Sequence, residues 1–238
     1  MEFALEGRRR VKEQLKKMGS FEFHQTSFSY IDNETREERY VGVPEEGGRD
    51  AISSDPLPPG NVYTACVDSA SKVGLYRIEA NVLPGSGKLR TPGGMDSTLK
   101  QSLDRAFSYV KSHAADLGIP QSLGAQDVHV EAVDLLESRV SADSAMAFFV
   151  ALYSVLRTHE VGPALVVLGD MSIQGNIKAT LGITEALQLA MDNGARRALI
   201  PLENKRSFLE MPGDIVERVD PIFYSDASVA GHKALGMG

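Results

Sequence analysis

The longest apolar run of the chain, from Ala145 to Leu156, limits the possible folds more than any other feature. Only Tyr153 and Ser154 interrupt it, and it is too short to cross a bilayer, which needs roughly 20 apolar residues. A helix that is apolar on all sides belongs inside a protein core. We predict an apolar helix from about Ser144 to Thr158, followed by a fully apolar strand, Ala164–Leu168.

Strand-like and helix-like segments alternate from Asn61 onward. Leu99, Leu103, Phe107 and Val110 recur every three to four residues and predict a helix at Ser97–His113. The other predicted elements are strands Val62–Val67, Val73–Val82, Val128–Val133, Ser172–Ile177 and Ala198–Ile200, a helix Thr184–Asn193, and the closing segments Phe208–Met211 and Ile215–Val219. Buried strands separated by helices indicate an α/β (α+β) domain with mixed strand directions.

The chain before Asn61 has a different character, and we predict three parts in all. Residues 1–18 are expected to form a small basic helix that continues from an absent upstream module. Residues 19–60 are expected to hold a small β-hairpin element, from Phe21 to Val43, and then a linker rich in proline and glycine. Residues 61–238 form the main domain.

The charge is unevenly distributed. The chain has a net charge of −7, but residues 1–18 carry six Lys and Arg against three Glu, so the remainder is the more acidic part. An acidic body is not a nucleic-acid-binding surface by itself, so any attraction to phosphate is expected to come from residues 1–18 or from other parts of a longer protein. Cys66 is the single cysteine, so an internal disulfide is excluded and a buried thiol in a reducing compartment is expected. With no secretory signal and no membrane span, we predict a cytoplasmic protein.

Two motifs that suggest ligands fail on spacing. Pro84-Gly85-Ser86-Gly87-Lys88 looks like a nucleotide-binding loop, but such a loop needs a glycine and a Ser or Thr where Val82 and Leu89 stand. The five histidines are scattered, without the spacing of metal ligands. We expect neither a metal nor a cofactor in this chain.

Ser144 is the remaining candidate for chemistry. It lies at the start of the apolar helix, where Ser141 is the predicted N-cap and Asp143 falls in the favoured first-turn region. Backbone N–H groups at a helix start can stabilise an oxyanion if a carbonyl is held against them. From residue order alone, a capping serine and a nucleophile both stay open.

Several stretches of Asn61–Leu209 resemble, in the same order, the proteolytic domain of Lon ATP-dependent proteases (peptidase family S16-like). They are Gly74–Glu79, Pro84–Leu89, Phe107–Val110, Asp127–Val130, Gly169–Gly175 and Ile200–Arg206. The resemblance implies the Lon proteolytic-domain fold, which is ribosomal protein S5 domain 2-like. It also implies a site built on a serine and a lysine.

The catalytic residues of that family match this chain only in part. The nucleophile's Gly-Pro-Ser-Ala-Gly context corresponds to Ala142–Met146, which keeps Ser144 and the following alanine but not the glycines and proline. The position of the family's lysine is held by Thr184. A Ser–Lys dyad needs a neutral amine to take the serine proton, and threonine has no comparable basicity. Lys178 is the substitute base that the sequence offers, although its spacing predicts that it is aimed from another direction.

The whole chain, including its N-terminal part, resembles a narrower group, the Lon-related proteins of BREX phage-defence systems. Glu6–Leu15, Gly19–Phe23 and Gly169–Lys178 carry this resemblance. It implies a C-terminal domain behind an AAA+ ATPase module, which would hold ATP and Mg, in a protein that assembles as rings, expected to be hexameric, and engages DNA but no membrane.

The leading hypothesis is a protease-like domain without proteolytic activity that serves assembly and coupling to an AAA+ motor. One alternative is an active serine peptidase with Ser144 as nucleophile and Lys178, or a lysine of a neighbouring subunit, as base. Another is direct binding of nucleic acid by the basic segment at Arg8–Arg10, which predicts an affinity that falls steeply with salt.

Overall fold

The computed structural model of the chain describes residues 18–23, 27–32, 38–42, 51–120 and 124–237. Two compact units divide between Arg49 and Asp50. The predicted helix at residues 1–18 lies outside the described residues, except that Met18 begins a strand. The three-part division of the chain remains a prediction.

The N-terminal unit contains a three-stranded antiparallel sheet. Its strands are β1 (Met18–Phe23), β2 (Ser27–Asp32) and β3 (Glu38–Gly42), in the order β1-β2-β3. In the register of the strands, Phe28 stands opposite Phe23 on one side and Val41 on the other. The sequence predicted a hairpin at this place, and the structure has a third strand beside it.

The C-terminal unit is a mixed sheet with helices. Its strands are β4 (Asn61–Val67), β5 (Val73–Pro84), β6 (Leu89–Arg90), β7 (Gln126–Asp134), β8 (Leu165–Val167), β9 (Asp170–Met171), β10 (Ile177–Lys178), β11 (Arg197–Pro201) and β12 (Asp220–Tyr224). Its helices are α1 (Ser97–Ser112), α2 (Ala145–Arg157), α3 (Ile183–Asp192), α4 (Lys205–Leu209), α5 (Gly213–Arg218) and α6 (Ala227–Ala234), with a 3-10 turn at Leu202–Asn204.

The main sheet has the strand order β12-β11-β8-β4-β5-β7-β6. Strands β12, β11, β8 and β4 are parallel to one another, whereas β5 is antiparallel to both β4 and β7. Strands β9 and β10 form a separate antiparallel pair. The predicted α/β class with mixed strand directions is confirmed.

Helix α2, which was predicted as an apolar helix, is at the centre of the core. Every residue from Ala145 to Ser154 is fully buried, between β4 and β5 on one side and α1 and α6 on another. The hydroxyl of Ser154 accepts a hydrogen bond from the N–H of Gly60 (3.0 Å) and donates one to the carbonyl of His159 (2.6 Å). This polar group therefore has partners inside the core, as burial requires.

Two sequence predictions were wrong in detail. The segment Ser172–Ile177 is not one strand but the turn that joins β9 to β10, with Gly175 at a φ of +86° and packed against the ring of Tyr109. Strand β12 and helix α6 follow the last predicted segment and were missed. Within the described residues, none of the helices has the length and apolar character needed to span a bilayer.

Candidate functional site

Ser144 is the N-cap residue of α2 and is 2% exposed. Its hydroxyl makes no capping bond and donates instead to the carbonyl of Ala142 (3.3 Å). Ser141 was wrongly predicted to be the N-cap, because its hydroxyl is bonded to Asp96, the N-cap of α1. In the described residues, no lysine amine is hydrogen-bonded to the Ser144 hydroxyl.

The first N–H groups of α2 all have acceptors within the chain. The N–H of Ser144 donates to the hydroxyl of Ser102 (3.1 Å), that of Ala145 to Oδ1 of Asp170 (3.3 Å), and that of Met146 to the carbonyl of Gly169 (3.3 Å). An oxyanion hole needs such donors free and aimed at the reacting carbonyl. Here the donors at the start of α2 are already used.

Asp170 links the start of α2 to two cations. It is 5% exposed, and its carboxylate accepts hydrogen bonds from Nη2 of Arg105 (2.9 Å) and from Nζ of Lys178 (2.9 Å). Arg105 also binds Asp143 (2.6 Å), so the four side chains form a chain of alternating charge. Partial burial would lower the pKa of Arg105, but its bonds to Asp143 and Asp170 raise it overall.

Lys178 and the residue after Ser144 bind the same carboxylate. Lys178 lies on β10 and binds Oδ2 of Asp170, while the residue after Ser144 donates its N–H to Oδ1. Lys178 is therefore bonded to Asp170 and not to the Ser144 hydroxyl, and the predicted direction of its side chain stays a prediction. An ammonium group that is paired with a carboxylate has no lone pair with which to accept a proton.

Thr184 lies in the first turn of α3 and is half-buried. The helix begins after Gly182, whose φ of +57° is left-handed, and a Cβ at Gly182 would lie within 2.9 Å of the Val67 side chain. The turn is therefore packed tightly on the end of β4. That strand end also carries Cys66, which lies beside Ser144.

Cys66 is a neighbour of Ser144 to which the sequence gave no role. Burial raises the pKa of its thiol to about 12, and contacts with Ala142 and Ser144 only partly offset this effect. The thiol is therefore protonated at neutral pH and is a poor nucleophile.

The loop before Ser144 is fixed by Tyr76 and Asp134. The Tyr76 hydroxyl donates to the carbonyl of Val140, and Asp134 accepts a hydrogen bond from the N–H of Arg139 (2.8 Å). Burial, followed by the charge of Asp134, raises the pKa of Tyr76 to about 12. A cavity of about 270 Å³ lies against this loop, lined by Tyr76, Gly94, Met95, Asp96, Leu99, Ala132 and residues 139–141.

The backbone of the glycine loop at residues 84–88 binds the carboxylate of Asp127. Oδ1 of Asp127 accepts hydrogen bonds from the N–H groups of Ser86 (2.7 Å) and Lys88 (3.0 Å), which together with Arg90 lower its pKa to about 2. Amides that would hold a phosphate are thus bonded to a carboxylate, so the loop does not fit a nucleotide. No cluster of three His, Cys, Asp or Glu side chains suited to a metal occurs within the described ranges.

Sequence reasoning missed Arg105 and Asp170. Asp170 follows a fully apolar strand, and a carboxylate at the end of such a strand is expected to be buried and to need partners. That signal could have singled it out. Arg105 gave no comparable signal, because it meets Asp170 only in the folded chain.

Comparisons with known proteins identify the family of the chain. The family described as Lon protease (S16) C-terminal proteolytic domain matches residues 65–235. The Lon-like protease BrxL of Escherichia coli O9:H4 (strain HS) is 36% identical over 236 residues, which cover 99% of this chain and 34% of the relative. The protein of the same name from Bacillus cereus (strain H3081.97) is 35% identical over 238 residues, covering 100% of this chain and 35% of the relative.

A Lon protease from Methylocella silvestris is also similar, at 33% identity over 162 residues, which cover 66% of this chain and 20% of the relative. The chain spans about a third of the length of the two BrxL relatives. The matched family range includes Ser144, Asp170, Lys178 and Thr184. The chain therefore belongs to the family of Lon protease (S16) C-terminal proteolytic domains.

Proposed function

We propose that this chain is a Lon-type proteolytic domain without peptidase activity, which acts as an assembly and coupling module. The observation that carries the proposal is the surroundings of Ser144. Its hydroxyl is buried and bonded to a backbone carbonyl, and its own N–H and those of the next two residues have internal acceptors. Threonine at position 184 supplies no base in the place of the family's lysine.

The biological setting follows from the relatives and is part of the proposal. The BrxL relatives cover the whole of this chain with a third of their length. We propose that the chain is the C-terminal, Lon-like part of a BREX-type antiphage defence protein and works behind an AAA+ ATPase module. ATP and Mg would be bound by that module, because the glycine loop of this chain is already closed by Asp127.

Self-association into rings, expected to be hexameric, and contact with DNA are proposed for the longer protein. A domain that keeps a large buried core after losing a base can still serve as a rigid subunit of such an assembly. The cytoplasm is the proposed compartment.

The test is a serine-reactive fluorophosphonate probe together with an unfolded protein substrate such as casein. We expect no labelling or cleavage that depends on Ser144, because its hydroxyl donates to the carbonyl of Ala142 and threonine stands in the place of the family's lysine. The matched pair of variants is Ser144→Ala and Ser141→Ala, since Ser141 lies in the same loop. Labelling or cleavage that is lost in Ser144→Ala and kept in Ser141→Ala would overturn the proposal.

A second candidate function is a Lon-type peptidase with Ser144 as nucleophile and Lys178 as base. One observation favours it: Lys178 and the N–H of Ala145 bind the two oxygens of the same carboxylate, that of Asp170. A modest shift of this carboxylate would release both groups. If Lys178 is the base, Lys178→Ala should abolish the cleavage that depends on Ser144. If a lysine of a neighbouring subunit is the base, Lys178→Ala should leave that cleavage unchanged.

A further inference from the structure

Residues 51–60, which we call the strap, lead into β4 and are anchored to the C-terminal unit by two apolar side chains. Ile52 is 1% exposed and Leu57 is 7% exposed. The N–H of Ile52 donates to the carbonyl of Asn193 (2.9 Å), and Leu57 exchanges two backbone hydrogen bonds with Val161 (2.9 and 3.0 Å). The strap is therefore packed on the unit that contains the candidate site.

The third anchor of the strap is Gly60, which reaches the core helix α2. Its N–H donates to the hydroxyl of Ser154 (3.0 Å), and its carbonyl accepts a hydrogen bond from the N–H of Ala80 on β5 (2.8 Å). The φ of Gly60 is +88°, and a Cβ here would overlap the carbonyl oxygen of Ala80, so only glycine allows this close approach. Because Ser154 is fully buried, the strap is bonded directly to the centre of the core.

The two helices that the strap contacts carry the candidate site at their other ends. Helix α2 begins after Ser144 and has Ser154 in its last turn. Helix α3 has Thr184 in its first turn and ends at Asn193, whose carbonyl binds the strap. The 13 residues of α2 span about 20 Å. The strap and the site are thus opposite ends of the same rigid elements.

Two strands have the same arrangement. Strand β8 starts after Ala164, whose N–H donates to the carbonyl of Ser53 in the strap (3.0 Å), and the chain then leads to Asp170 on β9. Strand β4 follows the strap directly and carries, near its other end, Cys66, which lies beside Ser144. The strap therefore contacts or continues into four elements that lead to the candidate site.

We propose that the strap is the coupling element of this domain: its displacement by the preceding part of the chain loosens the candidate site from the far end. The strap follows the boundary of the two units, between Arg49 and Asp50. Pro56, Pro58 and Pro59 stiffen it, so a displacement at its start is passed on with little slack. Its residues between the anchors are mostly exposed, so it can leave without global unfolding.

This inference rests on the coupling role proposed above and gives it a physical path. Coupling between distant sites needs an element with two arrangements that affects both of them. Here the two arrangements are the docked strap, which the structure shows, and a released strap. Release leaves the N–H of Gly60 and the hydroxyl of Ser154 without each other and removes two apolar anchors from the ends of α2 and α3. The order of the site at the other ends is expected to fall as a result.

The test uses Cys66, the single cysteine, as a reporter beside Ser144. We measure the rate at which methyl methanethiosulfonate modifies it in the whole 238-residue chain, at several low concentrations of urea. Ile52→Ala and Leu57→Ala should each raise this rate by at least about tenfold, because each removes an anchor. The raised rate should depend only weakly on urea, because local opening exposes little surface.

The control is Ile215→Ala, since Ile215 is buried to a similar degree (4% exposed) on α5. In the part of the chain that the structure describes, none of the strap's hydrogen bonds reaches α5. This variant should expose Cys66 only through global unfolding, with a steep dependence on urea. Ile52→Val replaces Ile52→Ala if the latter does not fold, and it should give a smaller change in the same direction.

Two outcomes would overturn the strap proposal. One is an unchanged rate at Cys66 in the strap variants, and the other is an equal rise with equally weak urea dependence in Ile215→Ala. The same samples are treated with the serine-reactive probe, so that the two proposals fail separately. Labelling of Ser144 in the wild type would overturn the loss of peptidase activity and leave the strap. Unchanged reactivity of Cys66 without labelling of Ser144 would remove only the strap.

Discussion

Two carboxylates, those of Asp127 and Asp170, both accept hydrogen bonds from backbone N–H groups, but in different parts of the domain. Asp127 closes the glycine loop by accepting hydrogen bonds from two backbone N–H groups and from Arg90. Asp170 closes the start of α2 by accepting hydrogen bonds from one backbone N–H, Arg105 and Lys178. The first lies away from Ser144, and the second lies directly beside it. In this chain the carboxylate of Asp170 therefore stabilises the start of α2, where the candidate nucleophile Ser144 lies.

The difference between the two lies in what each carboxylate holds. Asp127 mainly fixes backbone, so its effect is confined to one loop. Asp170 joins three elements, since Arg105 comes from α1, Ala145 from α2 and Lys178 from β10. Removing Asp170 should therefore disturb the fold more than removing Asp127.

The largest effect is expected for Asp170→Ala. It leaves the N–H of Ala145 without its acceptor and removes an anion from two cations, so we expect the free energy of unfolding to fall by about 2–3 kcal/mol. Urea unfolding measures this change. The control, Lys178→Ala, should cost less than about 1 kcal/mol, because the Lys178 side chain is 52% exposed. Equal losses in both variants would contradict the central place given to Asp170.

A smaller, pH-dependent effect is expected for Asp127→Asn. The pKa of Asp127 is lowered from 3.8 to about 2, so ionised Asp127 stabilises the fold above pH 3.8, and this contribution is lost as the pH falls toward 2. The difference in unfolding free energy between the wild type and Asp127→Asn should therefore shrink over that interval. Urea unfolding at several pH values tests it.

Arg90→Gln is the companion variant, since it removes one partner and leaves both backbone donors of Asp127 in place. It should keep most of the acid-range change seen in the wild type. If Arg90→Gln removed that change entirely, the ion pair rather than the backbone would be the main cause of the lowered pKa.

The smallest effect is expected for Thr184→Lys, which returns a lysine to the family's position. We expect no peptidase activity above background, because the N–H groups at the start of α2 stay bonded to Ser102, Asp170 and Gly169. Casein cleavage and probe labelling measure it, with Thr184→Met as the matched variant of similar length. Activity in Thr184→Lys but not in Thr184→Met would show that only the base was missing. It would also show that the hydrogen bonds at the start of α2 do not prevent peptidase activity.

The sequence predicted the core elements well because their signal is local. The apolar run gave α2 almost to the residue, and the spacing of Leu99 to Val110 gave α1. The turn after Asp170 was taken for a strand because Ser172 to Ile177 alternates in polarity, whereas Gly175 and its contact with Tyr109 bend the chain back. Strand β12 escaped detection because it is short, begins with Asp220 and Pro221, and is only partly buried.

The candidate site was predicted only as far as single positions allow. Ser144, Thr184 and Lys178 came from the family resemblance, and their surroundings did not. The bond between Arg105 and Asp170 joins residues 65 positions apart, and the contact of Cys66 with Ser144 joins two different elements. Such contacts arise from packing of the sheet against α1 and α2, which no local pattern encodes.

The buried thiol of Cys66 has a practical consequence. Cys66 is 2% exposed, and burial raises the pKa of its thiol to about 12, so the thiol is protonated at pH 7 and poorly accessible to reagents. Because the chain has one cysteine, maleimide dyes should leave the native protein almost unmodified. A cysteine introduced at an exposed position would then take a fluorophore or spin label at a single known place, without first removing the natural one.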